Sequence, residues 1–172
     1  MKIVSSIEND ITEIFRLYRL ATELQKEKFP ENQWPEFDKI LIIDEIVENR
    51  QFKLMIEDEI ACVWAITYSD PEIWKEDDGI SSIYIHRIAT NPSFRGNNYV
   101  KIIVEWAKTF ARDKKFIRMD TCGENQRLIQ HYQNCGFSFL GIIKLKKASN
   151  LPSHYQNANV CYFEIKLCEQ DV

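Results

Sequence analysis

The ten residues NPSFRGNNYV, at 91–100, put an arginine, a glycine and three asparagines in a turn that runs straight into a helical pattern. The first turn of a helix presents unpaired N–H groups and the positive end of the helix dipole, so such a junction takes up phosphate readily. Arg95 would add a charge-assisted bond, and Lys101 lies just inside the helix. Without a ligand the same segment is an ordinary polar loop capping a helix, and both readings are open at this point. A second concentration of chemistry is the loop DPEIWKEDDG, at 70–79, with Asp70, Glu72, Glu76, Asp77 and Asp78. These acids would draw in a cationic amine by long-range attraction, or form nothing more than a solvated charge run. Trp34, between Pro30 and Pro35, and Trp74, inside the acidic loop, are aromatics on loop segments. Rings so placed either line binding surfaces or cover the edge of a core.

The elements that must position these residues follow from hydrophobic periodicity. KIVSSI reads as a first strand, and Ile11, Ile14, Phe15 and Tyr18 recur at helical spacing behind an Asn9 or Asp10 cap. The run EFDKILIIDEIVENR fits a second helix, although its apolar stretch also fits a strand. QFKLMIED and EIACVWAITYS read as two antiparallel strands, and ISSIYIHRIAT as a third strand after the acidic loop. Residues 97–114 carry Val100, Ile103, Val104, Ala107, Phe110 and Ala111 as one helical stripe. FIRMDT is then a strand, ENQRLIQHYQNCG a short helix ended by Gly136, and FSFLGIIKLKK and VCYFEIKLC two more strands. The order β-α-α-β-β-β-α-β-α-β-β predicts an α/β (α+β) fold, a mixed and mostly antiparallel sheet of about seven strands with about four helices. The helix at 97–114 would join two parallel strands by a right-handed crossover.

Bulk properties exclude several function classes. The 172 residues carry a net charge of -4 with no basic stripe, which argues against nucleic acid as a partner. Five cysteines without a CxxC pair favour a reducing, cytoplasmic location over a disulfide or zinc framework. No apolar run approaches the length of a membrane span, and no apolar signal core opens the chain. No linker or repeat interrupts it, so residues 1–172 are expected to form one domain.

Set in that order of elements, the motif Arg95-Gly96-Asn97-Asn98-Tyr99-Val100 resembles the R/Q-x-x-G-x-G/A turn of the GNAT superfamily of acyl-CoA-dependent N-acetyltransferases. IHRIATNP looks like the strand exit that precedes it in that family. RMDTCGENQRLIQHYQNCGF is similar to the family's following strand, asparagine and helix ending in Tyr-x-x-x-Gly-Phe. The resemblance runs through residues 1–168 in element order and is most specific over 80–140. It implies acetyl-CoA as cosubstrate, no metal, and an amine acceptor on a small molecule or peptide. Amides of Arg95, Gly96, Asn97, Asn98, Tyr99 and Val100, with Lys101 beside them, would cradle the pyrophosphate. The strand exit Ile88, Ala89 and Thr90 would pair with the pantetheine arm, the Ile88 N–H would face the thioester oxygen, and Asn125 would bond the pantetheine or its loop. Tyr132 would lie near the sulfur. A CoA thiolate and a tyrosine differ little in basicity, so Tyr132 fits the general acid, its bland role being to pack beside Leu128 and Ile129.

Two motif positions depart from the family. Asn98 stands for the first glycine, and asparagine is the residue that best tolerates the left-handed backbone after glycine. Val100 stands for the second, where its branched side chain would crowd the phosphate. The fourth strand offers Tyr84 and His86 in place of a glutamate, on one face with Ile88 and Thr90 by alternation, so His86 is a candidate base, with Asp70, Glu72 or a water chain as alternatives. Trp34, Trp74 and Tyr84 are the candidate acceptor-binding residues. A non-catalytic acyl-CoA sensor of the same fold is the alternative function, and the sheet edge near the C-terminal strands offers a surface for a homodimer.

Overall fold

The structure, a computed structural model, describes residues 1–28 and 33–167. Pro30 and Cys168 lie outside the described residues. The chain folds as two compact units, one of residues 1–66 with 86–99 and one of residues 67–85 with 100–172.

The first unit holds β1 (Lys2–Ser5), α1 (Ile11–Lys28), α2 (Lys39–Val47), β2 (Gln51–Ile56), β3 (Glu59–Thr67) and the second half of β4 (Ser82–Thr90). The helical spacing of α1 buries Ile14, Leu17 and Tyr18 against Ile42 of α2, Ile60 and Val63 of β3, and Ala89 of β4. Each such aliphatic burial contributes roughly 1.5–3 kcal/mol. The Asp10 carboxylate accepts the Ile7 N–H at 2.8 Å and so closes the short 3-10 turn Glu8–Asp10 that leads into α1. Asp38 caps the start of α2, accepting from the Ile40 N–H at 2.8 Å. That cap, with Ile42 and Glu45 buried three residues apart, resolves the α2 stretch as helix. β3 is buried along nearly its whole length, which explains why it reads as an unbroken apolar run.

The second unit contains α3 (Pro71–Trp74), the first half of β4, α4 (Tyr99–Phe110), β5 (Phe116–Cys122), α5 (Gln126–Asn134), β6 (Ser138–Lys144) and β7 (Asn159–Lys166). α3 is a single turn inside the acidic loop and makes a fifth helix where four were expected. β4 pairs with β5 in parallel over Ser82–Tyr84, as the crossover through α4 requires. β5 and β6 both run antiparallel to β7. The ladder order is β1-β2-β3-β4-β5-β7-β6, the expected seven strands. One side of this unit packs Tyr132 and Phe137 on Phe163. The other buries Ile73, Trp74, Tyr84, Leu145, Val160 and Tyr162 as a separate cluster.

Candidate active site

In the first unit, β4 ends in a turn fixed by a single asparagine. The Asn91 side chain donates to the Ile60 carbonyl at 3.0 Å and accepts from the Ser93 N–H at 3.2 Å. Its own N–H bonds the Ala61 carbonyl at 2.9 Å, so the exit of β4 is anchored on β3. Phe94 then accepts from Asn97 Nδ2 at 2.8 Å, closing the turn. Gly96 has φ 87° and Asn98 has φ 49°, so Asn98 adopts the left-handed backbone expected of it. Arg95, Gly96, Asn97 and Asn98 are all exposed, and Tyr99 turns inward as α4 begins. Val100 is half-buried and Lys101 exposed in the first turn of that helix.

Two expectations about β4 change. Arg87 has φ 52°, a local twist that breaks the two-residue alternation, so Tyr84 and His86 do not continue onto the face of Ile88 and Thr90. The Arg87 guanidinium instead pairs with the buried Glu45 carboxylate of α2 and lies 5.2 Å over the Phe37 ring. Burial, then the positive charges of Arg87 and Arg50, push the His86 imidazole down to about 3. A base that weak is about 10 kcal/mol uphill from an alkylammonium near 10.4, so His86 is a poor proton acceptor. Trp34 packs edge-on to Tyr18 at 5.9 Å and Phe37 at 5.8 Å, and takes the role of covering a core edge. Ala89 is buried in that core, and Thr90 sits with its hydroxyl 3.6 Å from the Cys62 sulfur.

In the second unit the acidic loop folds back on β5. Asp70 caps α3, its carbonyl accepting the Trp74 N–H at 2.9 Å, while its own N–H bonds Asp78 Oδ1 at 2.5 Å. Carboxylate oxygens of Asp70 and Asp120 come within 4.8 Å of each other. The Tyr155 hydroxyl donates to Asp120 Oδ2 at 2.7 Å. Burial first, then the negative charges of Asp120 and Asp78, push the Asp70 carboxyl up to about 7. Burial lifts Asp120 to about 6, against the opposing pull of the Tyr155 hydroxyl. A carboxylate near 7 is about 5 kcal/mol uphill from the same ammonium, half the cost at His86. Asp70 is half-buried among other acids. Glu72 is exposed and bonds Asn150.

Trp74, expected on a loop surface, is buried, and Tyr84 lies beside it. Trp74 is only 4% exposed, with Arg118 4.6 Å from its ring and Tyr162 edge-on at 5.1 Å. Tyr84 is fully buried and accepts from Arg118 Nη1 at 3.4 Å, so it stands in the core cluster beside Trp74. Asn125 caps α5, accepting from the Arg127 and Leu128 N–H groups at 3.0 and 3.2 Å. Tyr132 stands on α5 with its ring 5.2 Å from Phe163. Burial lifts the thiols of Cys62 and Cys122 to about 12. Neither is a thiolate at neutral pH, which disfavours a covalent acyl-cysteine route through them.

The model of the acetyltransferase (GNAT) family matches residues 11–137. The chain belongs to the GNAT family. It is 28% identical over 120 residues to the uncharacterised N-acetyltransferase YesJ of Bacillus subtilis (strain 168), covering 64% of this chain and 67% of that one. A GNAT-family acetyltransferase structure from Listeria monocytogenes superposes with a TM-score of 0.75 at 21% identity, over 96% of this chain and 94% of that one. A Salmonella typhimurium acetyltransferase-type structure, solved with its cofactor acetyl-CoA, superposes with a TM-score of 0.68 at 10% identity, over 99% and 96%. These solved structures share the fold with this chain.

Three polar residues of this GNAT chain escaped the sequence reading. Asn91 lay inside the quoted motif, where an Asx-type turn before Pro92 was the available signal. Asp120 and Tyr155 lie 35 residues apart and meet only through the fold. Alternation in FIRMDTC places Asp120 on one face with Arg118 and Cys122, and that inward acid in a strand was the one clue.

Proposed function

We propose that this GNAT chain is an N-acetyltransferase that moves the acetyl group of acetyl-CoA to a primary amine by direct attack. The carrying observation is the turn at 95–98, whose two left-handed residues, Gly96 and Asn98, lead directly into α4. That backbone is what a phosphate cradle at a helix start needs. The amides of 95–100 bind the pyrophosphate, with Arg95 and Lys101 supplying charge. The β4 exit at Ile88–Thr90 pairs with the pantetheine, and the Ile88 N–H supports the oxyanion.

An alkylamine is about one part in a thousand unprotonated at pH 7, so a base is needed. Asp70, beside Asp120, accepts that proton. The amine nitrogen then attacks the thioester carbon; as the tetrahedral intermediate collapses and the C–S bond breaks, the nitrogen gives its second proton to solvent, which in turn restores the proton that Tyr132 loses. Tyr132 protonates the departing thiolate, a transfer costing at most about 2 kcal/mol on reference acidities.

Calorimetric titration with acetyl-CoA should give micromolar-range or weaker binding, because Val100 crowds the cradle. Val100→Ala should tighten it several-fold. No heat and no thermal shift with acetyl-CoA would remove the donor assignment. The sensor reading draws on the same Val100 crowding. Binding without CoA release for any amine in a thiol assay would select it.

A further inference from the structure

We infer that Tyr155 is a positioning residue for the transfer, its hydroxyl holding Asp120 as the charged neighbour that makes Asp70 a base. This rests on the acetyl-transfer reading and its use of Asp70. Tyr155 stands in the loop that joins β6 to β7. β6 itself is the outer strand of the ladder, and a shift in its register on β7 makes Leu140 an extra residue. The loop that follows is tied to itself and to the strand below it. Gln156 donates from Nε2 to the Ala148 and Leu151 carbonyls at 2.6 and 2.7 Å, and accepts from the Ala148 N–H at 2.9 Å. The Leu145 N–H bonds the Ala158 carbonyl at 2.8 Å and closes the base of the loop. The His154 carbonyl accepts from the Cys122 thiol at 3.4 Å, two residues along β5 from Asp120. The His154 ring lies 4.2 Å from that of Tyr155. A ring so fixed aims its hydroxyl at one oxygen, and that oxygen is Asp120 Oδ2, 2.7 Å away.

Tyr162 stands opposite Asp120 on β7, but its hydroxyl donates to the Ile73 carbonyl at 3.0 Å. Burial, then the negative charge of Asp120, push the Tyr155 hydroxyl well above its usual range, so it stays a donor. A donor on a carboxylate favours the ionised form, which opposes the burial that lifts Asp120. The ionised Asp120 in turn resists ionisation of Asp70, whose carboxyl lies within 4.8 Å. Tyr155 therefore decides which acid of the pair gives up its proton first, and leaves Asp70 the stronger base. Asp78, Cys122 and Tyr162 do not change charge between about pH 5 and pH 8. Against burial, the Asp70 N–H and the Ser69 hydroxyl hold Asp78 below the usual carboxylate range. Burial raises Cys122 and Tyr162 to about 12. His86, lowered to about 3, is neutral there too. The exposed Glu72 adds a negative charge to the surroundings of Asp70. Arg118 sets a positive one beside Asp78 while donating to the Asp77 carbonyl at 2.7 Å.

The test compares the wild type, Tyr155→Phe, Asp120→Asn and the double variant by thiol release with acetyl-CoA and a panel of primary alkylamines across pH. A hydrogen bond to a charged oxygen moves its acidity by roughly one to two pH units. Tyr155→Phe keeps the ring and should let Asp120 hold its proton through neutrality. The acid limb of kcat/KM should then move below pH 7 by about one unit, and the plateau should fall about threefold. Asp120→Asn should move the limb the same way, and adding Tyr155→Phe to it should move it no further. Carbon-13 NMR of the aspartate carboxyls reads the pair without turnover. The Asp70 midpoint should fall in every variant, and that of Asp120 should rise in Tyr155→Phe. A limb unmoved by Tyr155→Phe, or one it shifts equally on the Asp120→Asn background, overturns the inference while leaving acetyl transfer intact. If no amine is acetylated, the transfer reading falls and the NMR titration decides the coupling alone. An Asp70 midpoint unmoved in Asp120→Asn then overturns it, whatever becomes of the Tyr155 variant.

Discussion

Replacing Asp70 by asparagine should make the protein more stable and much less active. With a carboxyl raised from 3.8 to about 7, the folded chain holds a proton that the unfolded chain has already released. Between about pH 4 and pH 7 the native state therefore binds more protons, and stability falls as pH rises through that window. The accumulated cost at pH 8 is on the order of 2–4 kcal/mol, taking the lower figure for solvent that reaches this half-buried side chain. Asparagine keeps the shape and removes the charge. For a chain of this size the melting temperature at pH 8 should rise by roughly 5–15 °C, with no gain at pH 4. Turnover should fall about 10²–10⁴-fold, and the acid limb of kcat/KM near pH 7 should disappear. Calorimetric scans at both pH values and a thiol-release pH profile measure the two effects. A lower melting temperature at pH 8, or an unchanged acid limb, would refute both the buried charge and the base.

Tyr132→Phe should lower kcat at least tenfold while leaving the calorimetric affinity for acetyl-CoA within about twofold, and an unchanged rate would reduce Tyr132 to packing on Phe163. Glu45→Ala strands the Arg87 guanidinium against the core of the first unit. It should cost about 3–5 kcal/mol, read as a lower urea midpoint, and a loss under 1 kcal/mol would show that solvent already screens the pair.

The order of elements was legible because each carries its own period. The two-residue pattern in β2 and the helical stripes of α1 and α4 needed no tertiary information. Asn98 was legible too, since few residues other than glycine and asparagine adopt its backbone readily. The failures have physical causes. Arg87 takes a left-handed φ with no glycine to announce it, so counting by twos put residues on the wrong face. Trp74 looked exposed because charged residues surround it in sequence, yet its ring covers the buried Arg118. The acid pair joins a loop to a strand 50 residues away, and its altered basicity arises from burial that composition does not encode.

The extra residue in β6 also bears on how the protein avoids sticking to itself. An outermost strand with three exposed aliphatic side chains is a template for another chain's backbone, and a regular one invites filaments. The displaced Leu140 and the glycine beside it interrupt the spacing of hydrogen-bonding groups that an incoming strand must match. Deleting Leu140 would straighten the strand and restore an unbroken pairing surface. The irregularity thus lets an apolar edge stay exposed while denying it to an incoming strand.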